Sequence, residues 1–312
     1  MWATTARVQP GLPPPRPKHL VLGQRGEKIV HKTTLGDFEL IMLSDGGYYL
    51  DGGAMFGVVP KVLWEKKCRP DELNRVRLGL NTLVVRTGKH TIVVETGIGN
   101  KLPEKAQSIY ENEMTLLTQF EQAGIDPGEV DVVINTHLHF DHCGWNTTKR
   151  SDGTVVPTFP RAKYYYQEGE LEHAHRQLER DRVSYLTDNY DPLVKNGQAV
   201  LLHGDREIVP GVSVRVYPGH TRNHQAVLLS SNGQTGCYIG DLIPTSAHLH
   251  PTWVMAYDLF PLETIENRYR FYAEAIPQKW LVMFTHDLNV PWACVNRNAE
   301  RKYSIEPVVE SV

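Results

Sequence analysis

The segment Thr136-His137-Leu138-His139-Phe140-Asp141-His142-Cys143-Gly144 sets three histidines and one aspartate within six positions. It follows directly on Val130-Asp131-Val132-Val133-Ile134-Asn135, an apolar run with the length and β-branched character of a buried strand. Imidazoles and a carboxylate gathered at the end of such a strand need hydrogen bonds or a cation, because burying them without either is costly. Side chains two apart on extended backbone point the same way, so His137 and His139 face one point. Asp141 and His142, past the turn, face a second point nearby. Nitrogen and oxygen donors so arranged suit two adjacent metal ions, zinc above all. Any one of these histidines alone reads more simply as a satisfied loop residue. Four donor side chains at this spacing do not.

The rest of the composition excludes several classes. The chain has 312 residues, 33 basic against 36 acidic side chains and a formal charge of -3, which speaks against a dedicated nucleic-acid binder. No apolar run reaches the roughly 20 residues needed to cross a bilayer. Cys68, Cys143, Cys237 and Cys294 are scattered without C-x-x-C pairing, so neither a disulfide scaffold nor a cysteine zinc knuckle is expected. The 14 histidines are the remaining excess, and several of them cluster.

Residues 1–35 carry Pro10, Pro13, Pro14, Pro15 and Pro17 and read as an extended proline-rich arm. The simpler reading is a tail; the sharper one is an arm crossing onto a second copy to form a homodimer. No basic region followed by an apolar stretch marks a secretory leader, so a cytoplasmic location is expected. Residues 36–312 read as one catalytic domain. Phe38–Leu43 is a strand running into a Ser44–Gly47 loop, and residues 81–86 and 90–95 form a hairpin about Gly88-Lys89. Met114–Ala123 has helical spacing. Residues 162–166 form a strand, and Glu168–Arg180 a solvated helix. Strands at 212–217, 225–230, 236–239 and 280–284 follow, with a helix at 263–275 before the last. Hairpins and flanking helices in both parts predict an α/β (α+β) chain: two sheets face to face with helices outside, an αββα sandwich of two similar halves.

These pieces resemble the metallo-β-lactamase superfamily, whose loop H-x-H-x-D-H is matched at His137–His142. Further along, Tyr217-Pro218-Gly219-His220-Thr221 is similar to its "PGHT" loop, Gly240-Asp241 to its "GD" loop and Phe284-Thr285-His286-Asp287 to its terminal "HD" loop. Each follows an expected strand, and the likeness runs from about Gly36 to Pro291. The resemblance implies that His137, His139 and His220 bind one metal, that Asp141, His142 and His286 bind a second, and that Asp241 bridges them. Two divalent ions are implied, zinc foremost, with Mn2+, Fe2+ or Co2+ as alternatives. A hydroxide shared between them would be the nucleophile. Asp241 and Asp141 are then the catalytic carboxylates. Glu95, in Val93-Val94-Glu95-Thr96-Gly97, stands where the family usually has an aspartate supporting a ligand histidine. His224 and Cys143 read as packing or hydrogen-bonding residues, and His173, His175 and His203 as solvated.

Within the superfamily, the -3 charge lowers the nuclease option and the complete second ligand set lowers a mono-iron persulfide dioxygenase. The chain looks most like the branch of N-acyl homoserine lactonases and methyl-parathion-type organophosphate hydrolases. The resemblance therefore implies a dinuclear zinc hydrolase of an ester-type bond, a lactone or other carboxylic ester foremost. Organophosphate triester hydrolysis and β-lactamase activity are the alternatives. The lactonases place a tyrosine three residues after the bridging aspartate, where this chain has Pro244. Tyr48, Tyr49, His248 or Tyr257 could replace it. Phe56, Trp145 and Trp253, with Met55, supply apolar walls, which suits a small substrate with an apolar acyl or aryl part.

Overall fold

The computed structural model describes residues 30–300 and 302–308. Its first half supplies β1 (His31–Leu35), β2 (Phe38–Asp51), β3 (Arg75–Arg86), β4 (Thr91–Val94), β5 (Val132–Ile134), β6 (Thr147–Lys149), β7 (Val155–Pro157), β8 (Lys163–Gln167) and β9 (Ala199–Leu202). All but β6 and β7, which pair with each other, form one sheet in the order β1-β2-β3-β4-β5-β8-β9. The second half gives β10 (Arg206–Val209), β11 (Val212–Val216), β12 (Gln225–Ser231), β13 (Gln234–Tyr238), β14 (Leu281–Met283), β15 (Trp292–Arg297) and β16 (Tyr303–Pro307), paired in chain order in a second sheet.

Alternation along the strands makes the layers. Leu40 and Met42 of β2 join Leu83, Val85 and, from the other sheet, Val214, Val227 and Met283 in the core between the sheets. Their neighbours Ile41 and Leu43 point outward with Val84, Val93 and Val133, beneath Leu116 and Phe120 of the helix Leu116–Gln122. Burying each of these side chains stabilises the fold by about 1.5–3 kcal/mol. On the outer face of the second sheet, Phe271 and Ala275 of the helix Pro261–Ala275 cover Ala226, Cys237 and Val282. This is the αββα sandwich the sequence predicts. In β4 and β5, parallel to each other, Ile92–Val94 and Val132–Ile134 are buried throughout, as expected of strands covered on both faces.

Three local expectations are corrected. Ser44–Gly47 is not a loop: β2 continues through it to Asp51 with a bulge, where Gly46 takes φ +86 and shifts the register against β3. The last residues assigned to the arm, His31–Leu35, pair with β2, so the body begins before Gly36; the prolines of the arm lie outside the described residues. The helix after β8 ends at Arg176, and it is not wholly solvated, since Glu170 is fully buried. No helix among the described residues is long and apolar enough to cross a membrane.

The parallel strands of each sheet end on one side of the sandwich. The chain leaves β5 into the histidine loop, β13 into Gly240-Asp241 and β14 into His286. Carboxyl ends of parallel strands are where α/β sheets gather their ligand sites.

Candidate metal centre

The loop after β5 is held tightly. Thr96 N donates to His142 O at 2.8 Å and Asn135 Nδ2 donates to the same carbonyl at 3.0 Å. Gly144 packs against Ile98 so closely that a Cβ there would lie 1.9 Å from the Ile98 carbonyl oxygen, so only glycine fits. His139 leads into the short helix Phe140–Cys143, which turns Asp141 and His142 back toward His137.

Donor atoms from four loops converge. Three overlapping groups have ligand atoms within 4.8 Å of one another: His137, His139 and His220; His137, His142 and Asp241; and Asp141, His142 and His286. His220 Nε2 lies 3.1 Å from His139 Nδ1, and His286 Nε2 lies 3.2 Å from His142 Nε2. Asp241 spans the two regions, with Oδ2 3.2 Å from His220 Nε2 and Oδ1 3.2 Å from His286 Nε2 and 3.5 Å from His142 Nε2. Asp141 Oδ2 stands 3.6 Å from His286 Nε2.

Most of the imidazoles are oriented from behind. Nδ1 of His220 lies 2.9 Å from Asp258 Oδ1, Nδ1 of His286 lies 3.0 Å from the Gly79 carbonyl and Nδ1 of His142 lies 2.8 Å from Glu95 Oε2. The acceptors behind His220 and His286 place the proton on Nδ1 and turn the Nε2 lone pair inward, while the Glu95 carboxylate faces His142 from behind. The Thr136 hydroxyl sits 2.9 Å from His137 Nδ1. Tyr48 donates to Asp141 Oδ2 at 2.8 Å. The backbone N–H of Asp241 donates to His224 Nε2 at 3.0 Å, so His224 steadies Asp241 and is absent from all three donor groups.

The electrostatics call for positive charge at the centre. Burial and the neighbouring imidazoles of His142, His139 and His220 push His137 well below the ordinary histidine range, and His139 follows for the same causes. Burial alone would lower His142 too, yet the carboxylates of Asp241, Asp141 and Glu95 outweigh it and raise its pKa well above ordinary. Burial would raise Asp241, but His142, His286 and His220 hold it far down. Nε2 of His137, Nε2 of His139 and Oδ1 of Asp241 are buried with no hydrogen-bond partner. Converging lone pairs, orphaned buried donors and the oxygen of Asp241 between them fit divalent cations with nitrogen and oxygen ligands.

A cavity opens over this centre. Tyr48 and Tyr257 line it with His139, Asp141, His220, Asp241 and His286, and its apolar wall comes from Leu50, Met55, Phe140, Val183, Met255 and Leu259. The other expected wall residues sit elsewhere. Trp145 points into the core beside the first sheet, its Nε1 donating to Asp45 Oδ1 at 2.9 Å. Phe56 and His248 stack on each other with centroids 4.6 Å apart, behind Met55, whose carbonyl lies 2.9 Å from His248 Nε2. Burial lowers His248 to about 3, so it is a neutral packing residue. Trp253 faces a separate surface cavity with Lys67 and Tyr303. Of the histidines read as solvated, His203 and His175 are exposed, but His173 is partly buried with Nε2 2.6 Å from Asp181 Oδ2. Sequence reasoning missed Asp258, Arg180 and Asp181, which lie on loops with no motif to mark them, and Tyr110, which ends the short helix Glu104–Tyr110.

A family model described as the metallo-beta-lactamase superfamily matches residues 76–286, and the chain belongs to that superfamily. The N-acyl homoserine lactonase of Bacillus cereus is 29% identical over 119 residues, 38% of this chain and 40% of that protein. A second N-acyl homoserine lactonase, from Bacillus sp, is 29% identical over 133 residues, 43% of this chain and 44% of that one. The chain thus spans about two fifths of the length of these curated relatives. A solved structure of a probable metal-dependent hydrolase from Staphylococcus aureus superposes with a TM-score of 0.80 at 29% identity, covering 89% of this chain and all of that one (100%). AidC, a dizinc quorum-quenching lactonase, superposes with a TM-score of 0.75 at 18% identity over 90% and 97% of the two chains, a likeness of fold.

Proposed function

We propose that this chain is a metal-dependent hydrolase of an ester-type bond, acting on a lactone or another carboxylic ester with an apolar acyl or aryl part. The observation that carries the reading is Asp241, which sets one carboxylate oxygen against each of two separate donor groups at the floor of a cavity with an apolar wall. His137, His139 and His220 would hold one divalent cation, Asp141, His142 and His286 the other, and Asp241 would touch both. Zinc suits these ligands best. Bound there, such ions supply Lewis acidity toward a carbonyl oxygen and bring water to reactivity at neutral pH.

The protein's own groups do the rest. Asp241, with one oxygen toward His220 and the other toward His286, would position the attacking water between the two donor groups. Asp141 is fixed by the Tyr48 hydroxyl. Leu50, Met55, Met255 and Leu259 give the acyl or aryl part a dry surface. Pro244 has no side-chain donor, and its carbonyl instead accepts from His286 N at 3.0 Å. Tyr48, Tyr110 and Tyr257 line the cavity; Tyr48 is bonded to Asp141 and Tyr110 stacks on Phe140, which leaves Tyr257 for the leaving oxygen. The same reading includes a small molecule as substrate, no nucleic-acid partner and a cytoplasmic location.

A panel of lactones, aryl esters, a thioester, a β-lactam and an organophosphate triester, offered to the zinc-loaded protein, tests this. Lactones or carboxylic esters should turn over fastest. Turnover confined to the triester or the β-lactam would reassign the substrate, and oxygen uptake with persulfides in place of hydrolysis would overturn the reading.

A further inference from the structure

Glu170 is fully buried on the nine-residue helix Glu168–Arg176. Its carboxylate is satisfied by three donors from distant parts of the chain. Oε1 accepts from Leu138 N at 3.3 Å and from the Tyr185 hydroxyl at 3.0 Å, and Oε2 accepts from the Thr221 hydroxyl at 2.7 Å. Leu138 lies between His137 and His139, and Thr221 follows His220. One carboxylate is therefore bonded to both segments that carry the first donor group. The third contact extends this to the cavity wall. The Tyr185 ring meets His139 edge-on with centroids 4.8 Å apart, while its neighbours Val183 and Ser184 line the cavity.

A buried carboxylate is a costly way to fill space, since an apolar side chain of similar volume does so without desolvating a charge. What Glu170 offers that such a side chain cannot is the set of three bonds. The second donor group is braced by other groups, Glu95 behind His142 and the Gly79 carbonyl behind His286.

We propose that Glu170 is a positioning residue for the first donor group, holding His137, His139 and His220 in the arrangement that binds one of the two cations while leaving the second group to its own supports. This rests on the reading that these donors hold metal, and it extends that reading to a residue that touches neither ion nor substrate. Through Tyr185, the same carboxylate keeps the Val183-Ser184 wall in register with that ion.

Zinc affinity, measured by competition with a chromophoric chelator and by elemental analysis, tests the proposal without reference to turnover. Glu170→Ala is expected to keep its circular dichroism, to weaken one of two zinc ions by about 10–100-fold and to leave the other unchanged. In a His286→Ala background, where only the first group is complete, Glu170→Ala should weaken the remaining ion by the same factor. Glu170→Gln retains an acceptor for Leu138 and can donate to Thr221, so it should recover most of the affinity. Glu170→Met, which fills the space without accepting, should not. If Glu170→Ala fails to fold, Thr221→Val removes one donor only and should weaken the first ion several-fold. Parent-like zinc binding in the Met and Val variants would overturn the proposal while leaving the hydrolase reading intact. A parent protein that binds two zinc ions but hydrolyses no ester would do the reverse, and a parent that binds none would overturn both.

Discussion

Oε2 of Glu95 lies 2.8 Å from Nδ1 of His142, and the other oxygen of Glu95 accepts from Thr136 N, the residue before His137. A carboxylate with one arm longer than the family's usual aspartate thus reaches the ring of a candidate ligand and the backbone beside another. Glu95 takes φ +62, a left-handed conformation unusual for a side chain of this size. Glu95→Asp should fall short of His142 and Glu95→Gln should lose the charge that fixes its tautomer. Both are expected to weaken zinc by about 10–100-fold, read by chelator competition. Unchanged affinity in both would remove Glu95 from the site.

Asp241→Asn and His142→Ala should each abolish turnover of the best substrate in the panel with little loss of folded signal. Full activity in either variant, measured at saturating zinc, would contradict the assignment.

Asp45 is the hub of a different network. Its Oδ2 accepts from Ile98 N and Gly99 N, and its Oδ1 from Leu116 N and Trp145 Nε1. Burial outweighs those bonds and pushes its pKa up to about 6 from 3.8. The folded carboxyl therefore binds its proton more tightly than the unfolded one. Its contribution is fully present below the unfolded value and is lost as pH rises through about 6. At roughly 1.4 kcal/mol per unit, the loss is about 3 kcal/mol. Equilibrium denaturation of the parent and Asp45→Asn, from about pH 4 to about pH 7, should show the parent's advantage shrinking across that window. A constant difference would refute the sign.

Arg268 is buried, and two of its nitrogens donate to carbonyls, Nε to Leu242 and Nη1 to His248, His250 and Trp253, at 2.6, 3.0, 3.2 and 2.8 Å, while Nη2 has no hydrogen-bond partner. It ties down the loop that leads to Met255 and Tyr257 of the cavity. A lysine is a single point charge and cannot reach all four. Arg268→Lys and Arg268→Met are both expected to cost about 2–4 kcal/mol of stability, read from denaturant midpoints. Recovery by lysine would show that charge alone suffices.

How much of this was legible in sequence follows from distance along the chain. His137–His142 are contiguous, and His220, Asp241 and His286 each close a strand, so strand ends and donor types marked them together. Asp258 carries the same weight behind His220, but it lies on an irregular loop and its partner is 38 residues away. Trp145 looked like a cavity wall because it adjoins the histidine loop; its indole instead finds Asp45, 100 residues away. Glu170 sits on a helix rich in glutamate and histidine whose polar pattern reads as solvated, and its partners come from three remote segments. Ser44–Gly47 looked like a loop because of its paired glycines, whereas the sheet absorbs them in a bulge. Donor chemistry is written locally; what orients it is not.

The most direct test of the central claim is a zinc titration of the metal-free protein, following hydrolysis of its best lactone or ester substrate. Activity absent without metal, rising with added zinc and levelling at about two equivalents per chain, is the predicted result. Full hydrolysis by the metal-free protein, or a plateau at one equivalent that further zinc does not change, would contradict it.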